Sequence, residues 1–265
     1  MVFAKNNIVP KMAHHEERLT DYNVYIMPRE EWIINTFFAA LVLFGIGFVF
    51  YKSLILSALL SLLALKWPKI RIKQIIEKRK KELTVQFKDM LYSLASSLSA
   101  GKSVESALKE VLTDLAIIYP DQDAFIIQEI SLIIRGLEMN ETVEDMFGQF
   151  AGRAHIEDIE SFTDIFRICK RTGGDIAQVI RSSSQTIGEK IEIQQEISTM
   201  IAGKKFEFKV LMIMPIFLIL LLTYTAGDYM APVFETAVGN IVMSIAIALF
   251  GAAYFIGTKI MKIDV

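Results

Sequence analysis

Residues 33–65 read IINTFFAALVLFGIGFVFYKSLILSALLSLLAL, and between Ile33 and Leu65 only Lys52 carries a charge. A spanning helix needs about 20 predominantly apolar residues. The stretch is therefore too long for one crossing and slightly short for two. The spacing predicts a hairpin: Ile33–Phe50 outward, a turn at Tyr51-Lys52-Ser53, and Leu54–Trp67 back. The short second leg requires local bilayer thinning or an interfacial end. Gly45 and Gly47 offer another turn. The rival is a single long bent helix whose Lys52 snorkels to the interface.

Working outward, a second apolar block runs from Val210 to Gly257 and is broken by the acidic stretch Gly227–Asn240. It divides into two spans, Val210–Ala226 and Ile241–Gly257. Trp32, Tyr51, Trp67, Tyr224, Tyr229 and Tyr254 lie near the expected ends, as an aromatic belt does. Hydrophobic residues make up 53% of the 265, yet 22% are charged. Both figures hold only because the two classes are segregated. Mean hydropathy is +0.41. The reading is an all-α polytopic membrane protein with about four transmembrane helices.

Lys and Arg placement sets the orientation. Lys66, Lys69, Arg71, Lys73, Lys78, Arg79, Lys80 and Lys81 follow the first block, and Lys204, Lys205 and Lys209 precede the second. The far loop Gly227–Asn240 has no Lys or Arg. The middle region is expected in the cytoplasm, with both termini, and Lys259 and Lys262 in the tail agree. The boundaries are 1–31 for an N-terminal segment, 32–67 for the hairpin, 68–209 for a cytoplasmic domain, 210–257 for the second helix pair and 258–265 for the tail. The first thirty residues do not resemble a cleaved signal peptide, so the first block is expected to be retained.

The middle region has helical periodicity throughout and no sustained alternation. Apolar stripes run through Phe87–Leu98, Val104–Leu115, Phe125–Leu137, Val143–Ala151, Ile159–Cys169 and Ile176–Ile191. The breaks carry turn residues, with Gly101, Gly136, Gly173 and Gly174 among them. Ser103 is placed to cap the second helix, and Asp175 or Gly174 to start the sixth. Six helices with short connections predict an antiparallel bundle. The sixth has no strong breaker from Asp175 to Met214 and is expected to run on as a strut into the membrane. Gly188 and Gly203 are possible bends, and Pro215 falls in the first turns of the span, where it kinks a helix.

Chemical motifs are few. Thr172-Gly173-Gly174-Asp175 lacks a preceding strand and a P-loop Lys-Ser pair, so it reads as an interhelical turn. His14-His15-Glu16-Glu17 reads as a solvated charge run, not a metal site. The single cysteine, Cys169, excludes an internal disulfide and reads as a small buried thiol. A net charge of −2 argues against nucleic-acid binding. No catalytic group and no cofactor are expected. Charge is polarised along the chain: Glu138, Glu141, Glu144, Asp145, Glu157, Asp158, Glu160 and Asp164 are set against Arg153 alone between Glu138 and Asp164. This acidic set reads either as a solvated face or as a docking surface for a basic partner.

Four pieces of the chain together resemble the type II secretion system F-domain family. Leu94-Ala-Ser-Ser-Leu-Ser-Ala-Gly-Lys-Ser-Val-Glu-Ser-Ala-Leu108 resembles its first signature. Gly136 followed by Thr142-Val-Glu-Asp-Met146 resembles its mid-domain turn. Phe166-Arg-Ile-Cys-Lys-Arg-Thr-Gly-Gly-Asp-Ile176, then Ile187-Gly-Glu-Lys190, resembles the second signature. Ala202-Gly-Lys-Lys205 leading to Met214-Pro215 resembles the entry into the membrane. The likeness covers about residues 84–225. With one such domain flanked by paired spans, the chain is similar to the platform proteins of tight-adherence (Tad/Flp) pili. That resemblance implies a non-enzymatic inner-membrane platform. Its partners would be a hexameric secretion ATPase, to which the acidic residues would dock, a related platform subunit, pilin and the bilayer. The rival class is a polytopic transporter or enzyme with an accessory helical domain. The spans argue against a transporter, since Ile33–Phe50 and Val210–Ala226 hold no ionisable Asp, Glu, Lys, Arg or His.

Overall fold

The computed structural model describes residues 20–121 and 123–261, and among these every regular element is helical. Helix α1 (Arg29–Tyr51) is apolar on all sides. It stops at Lys52, which adopts the left-handed conformation with φ 46°. The chain then reverses. α2 (Leu54–Ser61) and a 3-10 turn (Leu62–Lys66) pack back along α1. Gly47 makes this possible, because a Cβ there would sit 3.0 Å from the Ser57 backbone. α3 (Trp67–Ser99) leaves the apolar region as a 33-residue helix with Pro68 in its first turn, where a missing N–H costs nothing.

The bundle follows as α4 (Val104–Ile118), α5 (Phe125–Glu138), α6 (Val143–Ala154), α7 (Glu157–Thr172) and the first half of α8 (Ile176–Thr225). With the second half of α3 these make six helices. Their starts are chemically defined. Ser103, Thr142 and Asp175 accept from the backbone N–H of Ser106, Asp145 and Gln178, which satisfies donors the helix itself cannot. The core is one cluster, built on Leu83, Phe87 and Leu91 from α3, Leu108 and Val111 from α4, Ile130 from α5, and Phe147, Phe150, Ile159, Phe162 and Phe166 among the side chains of α6 and α7. Phe87, Phe147, Phe150, Phe162 and Phe166 form a chain of ring contacts with centroids 5.2–5.9 Å apart. Each fully buried side chain of this size stabilises by about 1.5–3 kcal/mol before entropy is counted.

Helix α8 has 50 residues and no break at Gly188, Gly203 or Pro215. At 1.5 Å per residue it is about 75 Å long. Its first half is held in the bundle through Ile180 and Ile187, and from Val210 onward it is apolar and uncovered. α9 (Gly227–Glu235) and α10 (Ala237–Ile260) complete the chain.

About four spans were expected, one of them a short return leg; α1, α8 and α10 are each long and apolar enough to cross a membrane. The fourth leg is eight residues of α2 plus five of 3-10 helix. The stretch Gly227–Asn240 is not a plain loop: it contains α9, and Thr236 then starts α10 by accepting from the Gly239 amide. Gly136 is not in a turn. It lies in the last turn of α5, and Asn140 with φ 66° makes the reversal. His14, His15 and Lys262 lie outside the described residues.

Candidate functional site

The antiparallel course of the helices gives the bundle two ends. α3 runs away from the apolar helices and α8 returns to them. The turns Ala100–Ser103, Met139–Thr142 and Gly173–Asp175 therefore lie at the distal end, and the α4–α5 and α6–α7 connections nearer the apolar region. At the distal end Gly173 adopts φ 73° and Gly101 φ 84°, a region that other residues enter only at a cost.

The acidic residues separate along this axis. Glu138, Glu141, Glu144 and Asp145 gather at the distal α5–α6 junction. Glu157, Asp158 and Glu160 start α7 at the opposite end of the α6–α7 hairpin, and Asp164 lies between. Three of the eight pair with lysines of other helices, Glu138 with Lys109 of α4 at 3.7 Å among them. Lys170 of α7 donates to Glu144 at 2.7 Å, and Lys190 of α8 to Asp158 at 2.9 Å. Partial burial of Glu144 works against its charge. The Lys170 bond and a backbone amide outweigh that and hold its carboxyl below the usual range. Asp145 accepts from the Thr142 hydroxyl at 2.7 Å and so belongs to the α6 cap. Glu138, Glu141, Glu157, Glu160 and Asp164 point to solvent.

A buried polar cluster was not foreseen from the sequence. Tyr22, which precedes α1, is 1% exposed and packs its ring edge-on against Phe125 at 5.5 Å. Its hydroxyl donates to Glu129 Oε1 at 3.0 Å, and the other oxygen of Glu129, itself 1% exposed, accepts from the Arg153 guanidinium. The Tyr22 amide donates to the Arg153 carbonyl at 3.0 Å. Burial first, then the charge and hydrogen bond of Glu129, drive the Tyr22 phenol well above its ordinary value. Around it, Lys80 donates to Asn23 Oδ1 and to the His155 carbonyl, both at 2.9 Å, and Arg79 stacks on the Tyr25 ring at 4.5 Å. The residues leading into α1 are thus a strap fixed across α3, α5 and α6. A signal did exist: Ile126, Ile130 and Ile133 face the core, and Glu129 shares their helical stripe. An acid on an apolar stripe calls for a buried partner.

Two grooves run between α3 and α8. One of about 770 Å³ is lined by Lys88, Asp89, Tyr92, Ser96, Arg181 and Gln185. The other, about 390 Å³ and nearer the apolar helices, is lined by Lys80, Lys81, His155, Asp158, Lys190 and Gln195. Arg181 already donates to Ser99 Oγ at 2.6 Å, and Lys88 pairs with Asp89 at 2.9 Å. These grooves are seams between packed helices. Among the described residues no group of three or more His, Cys, Asp or Glu is placed to hold a metal.

The class defined by this arrangement is an all-helical membrane protein in which a bundle is held to apolar helices by one continuous helix. The family model described as "Type II secretion system (T2SS), protein F" matches residues 90–223, just over half of the chain. The chain belongs to that family. Its members are non-enzymatic membrane platform proteins of secretion and pilus machines, and that general role comes with the match. No curated protein and no solved structure matches.

Proposed function

We propose that this chain is an inner-membrane platform subunit of a Tad/Flp-like pilus or type II secretion machine, with its bundle in the cytoplasm. It engages a hexameric ATPase and passes that motor's movement to pilin subunits drawn from the bilayer. A related platform subunit assembles beside it. The carrying observation is α8: one helix begins in the bundle core and ends among uncovered apolar residues. A force applied to the bundle therefore reaches the membrane along a rigid element. The cytoplasmic orientation is supported by the Lys and Arg gathered on the bundle side of the apolar helices and missing from Gly227–Asn240.

The motor contact is best sought at the distal end, where Glu138, Glu141 and Asp145 are exposed and farthest from the membrane. Charge at such a surface mainly sets encounter rate and register. The test is co-purification of the secretion ATPase with the triple variant E138K/E141K/D145K. The expected result is loss of the ATPase with membrane insertion and helicity retained. Unchanged co-purification would remove the acidic docking surface. Reversal of Glu157, Glu160 and Asp164 tests the other end of the set, and a smaller loss is expected there.

A further inference from the structure

We propose that Lys66, Lys69, Lys205, Lys209 and Lys259 form a docking surface for anionic phospholipid headgroups on the bundle side of the bilayer. The inference rests on α1, α8 and α10 crossing a bilayer and not on the motor reading.

Helix register brings these lysines together. Ser184 of α8 donates to the Lys88 carbonyl of α3 at 3.3 Å, which fixes these antiparallel helices side by side. Counting back along α3 from Lys88 to Lys69 and the same distance along α8 from Ser184 reaches Gly203. Lys69 therefore lies level with the α8 cluster that contains Lys205 and Lys209. Farther along, Phe208 of α8 lies against Gly257 of α10, where a Cβ would come within 2.4 Å of its ring. That contact brings Lys259 to the same height.

Their depth matches the headgroup level. From the far ends of α8 at Thr225 and α10 at Ala237, the rise to Lys205 and Lys259 is about 30 Å, the thickness of the hydrocarbon core. The short return leg from Leu54 raises Lys66 by only about 22 Å and Lys69 by a few ångströms more. Lys66 thus needs its methylene stem to reach the headgroups, and Trp67 and Ile70 beside it are 43% and 52% exposed, as interfacial anchors are.

Their charge is uncompensated. All five lysines are exposed, and none makes an ion pair among the described residues. Basic groups outnumber acids here: Glu207 pairs with Lys204 at 2.9 Å, which leaves Glu31, hydrogen-bonded to the Tyr25 hydroxyl at 2.8 Å, and Glu30, beside Arg29 at the start of α1, against the five lysines. Five unpaired ammonium groups beside uncovered apolar helices have one matching partner, a phosphate-bearing lipid held by both tail and headgroup.

The test is lipid retention by the purified full chain, measured by native mass spectrometry after exchange into detergent containing equal phosphatidylglycerol and phosphatidylcholine. The wild-type chain is expected to retain phosphatidylglycerol preferentially. K66Q/K69Q/K205Q/K209Q should lose tenfold or more in that preference, since each lysine near such a surface is worth roughly fivefold. K78Q/K81Q, higher on α3, should leave it unchanged. Inorganic phosphate should not displace the lipid, because it lacks the acyl chains. Equal retention of both lipids by the wild-type chain overturns the proposal even if the quadruple variant fails to fold, and so does an unchanged preference in that variant. ATPase co-purification is a separate readout, so failure of the platform reading leaves this result standing.

Discussion

At the residue scale, the Tyr22–Glu129–Arg153 cluster has the largest consequences. Glu129 is a carboxylate inside an apolar core, stabilised only because a guanidinium and a phenol reach it. Glu129→Gln leaves the Arg153 charge without its anion, and a loss of about 3–5 kcal/mol is expected in chemical unfolding. Tyr22→Phe removes one hydrogen bond to a charged acceptor, and about 1.5–3 kcal/mol is expected. The phenol also sets an alkaline limit. Its folded pKa is raised, so in the unfolded chain Tyr22 ionises near pH 10 while in the folded chain it stays neutral. Its contribution is complete below that pH and falls as pH rises above it. Tyr22→Phe should flatten the decline of stability above about pH 10. Gly136 gives a second residue-scale test. A Cβ there would lie 2.2 Å from the Met146 sulfur, in a buried contact between α5 and α6. Gly136→Ala is expected to destabilise by about 1–3 kcal/mol through overpacking. Its effect should be smaller in a Met146→Ala background, and a double-mutant cycle measures that coupling.

At the scale of elements, α8 has two characters in one helix. Its first half is amphipathic and packs through Ile180, Ser184 and Ile187, while the stretch from Val210 to Leu222 is apolar all round. No glycine in it interrupts the backbone ladder, since helix hydrogen bonds depend on neighbours and not on one residue's preference. A proline at Ala202 would remove a backbone donor and clash with the preceding turn, at a cost of about 3 kcal/mol or more. Spin labels at Gln185 and Tyr224 should give one narrow distance in the wild-type chain. In Ala202→Pro the distribution should broaden or shift, and an unchanged distribution would show that the strut does not depend on an unbroken helix there. The α1–α2 hairpin is an element of a different kind. Lys52 turns it in a left-handed conformation, and its ammonium lies over the Phe234 ring of α9 at 4.8 Å. Tyr51 and Ser244 share a 2.7 Å hydrogen bond that joins α1 to α10. The two apolar halves of the chain therefore meet at the end away from the bundle.

At the scale of the whole molecule, the strap from Asp21 to Tyr25 ties the first membrane helix directly to the bundle. The bundle is held to the apolar helices through α1, α3 and α8, so a tilt of the bundle acts on the first and last parts of the chain together. The orientation is tested with single cysteines in a Cys169→Ser background. Lys52→Cys should react with an impermeant maleimide on intact cells, and Gln185→Cys only after permeabilisation. The reverse pattern would place the bundle outside and end the platform reading.

The sequence alone determined the helical class, the segregation of apolar blocks from a polar middle, the six stripes of the bundle and the caps at Ser103 and Asp175. These features are local. They depend on periodicity over one or two turns and on side chains within three residues of a helix start. The breaks of the family-like turns were equally legible at Gly101 and Gly173, where backbone conformation itself selects the residue. Tertiary structure alone decided the placement of Tyr22 beside Glu129 and Arg153, because residues 107 positions apart meet only when α5 and α6 are packed. It alone turned Gly136 from an apparent breaker into a contact point for Met146. It also divided the acidic set between two ends of the bundle. The antiparallel course was legible from the short connections, but which acids meet a lysine was not, because Lys170 and Lys190 lie 26 and 32 positions from Glu144 and Asp158.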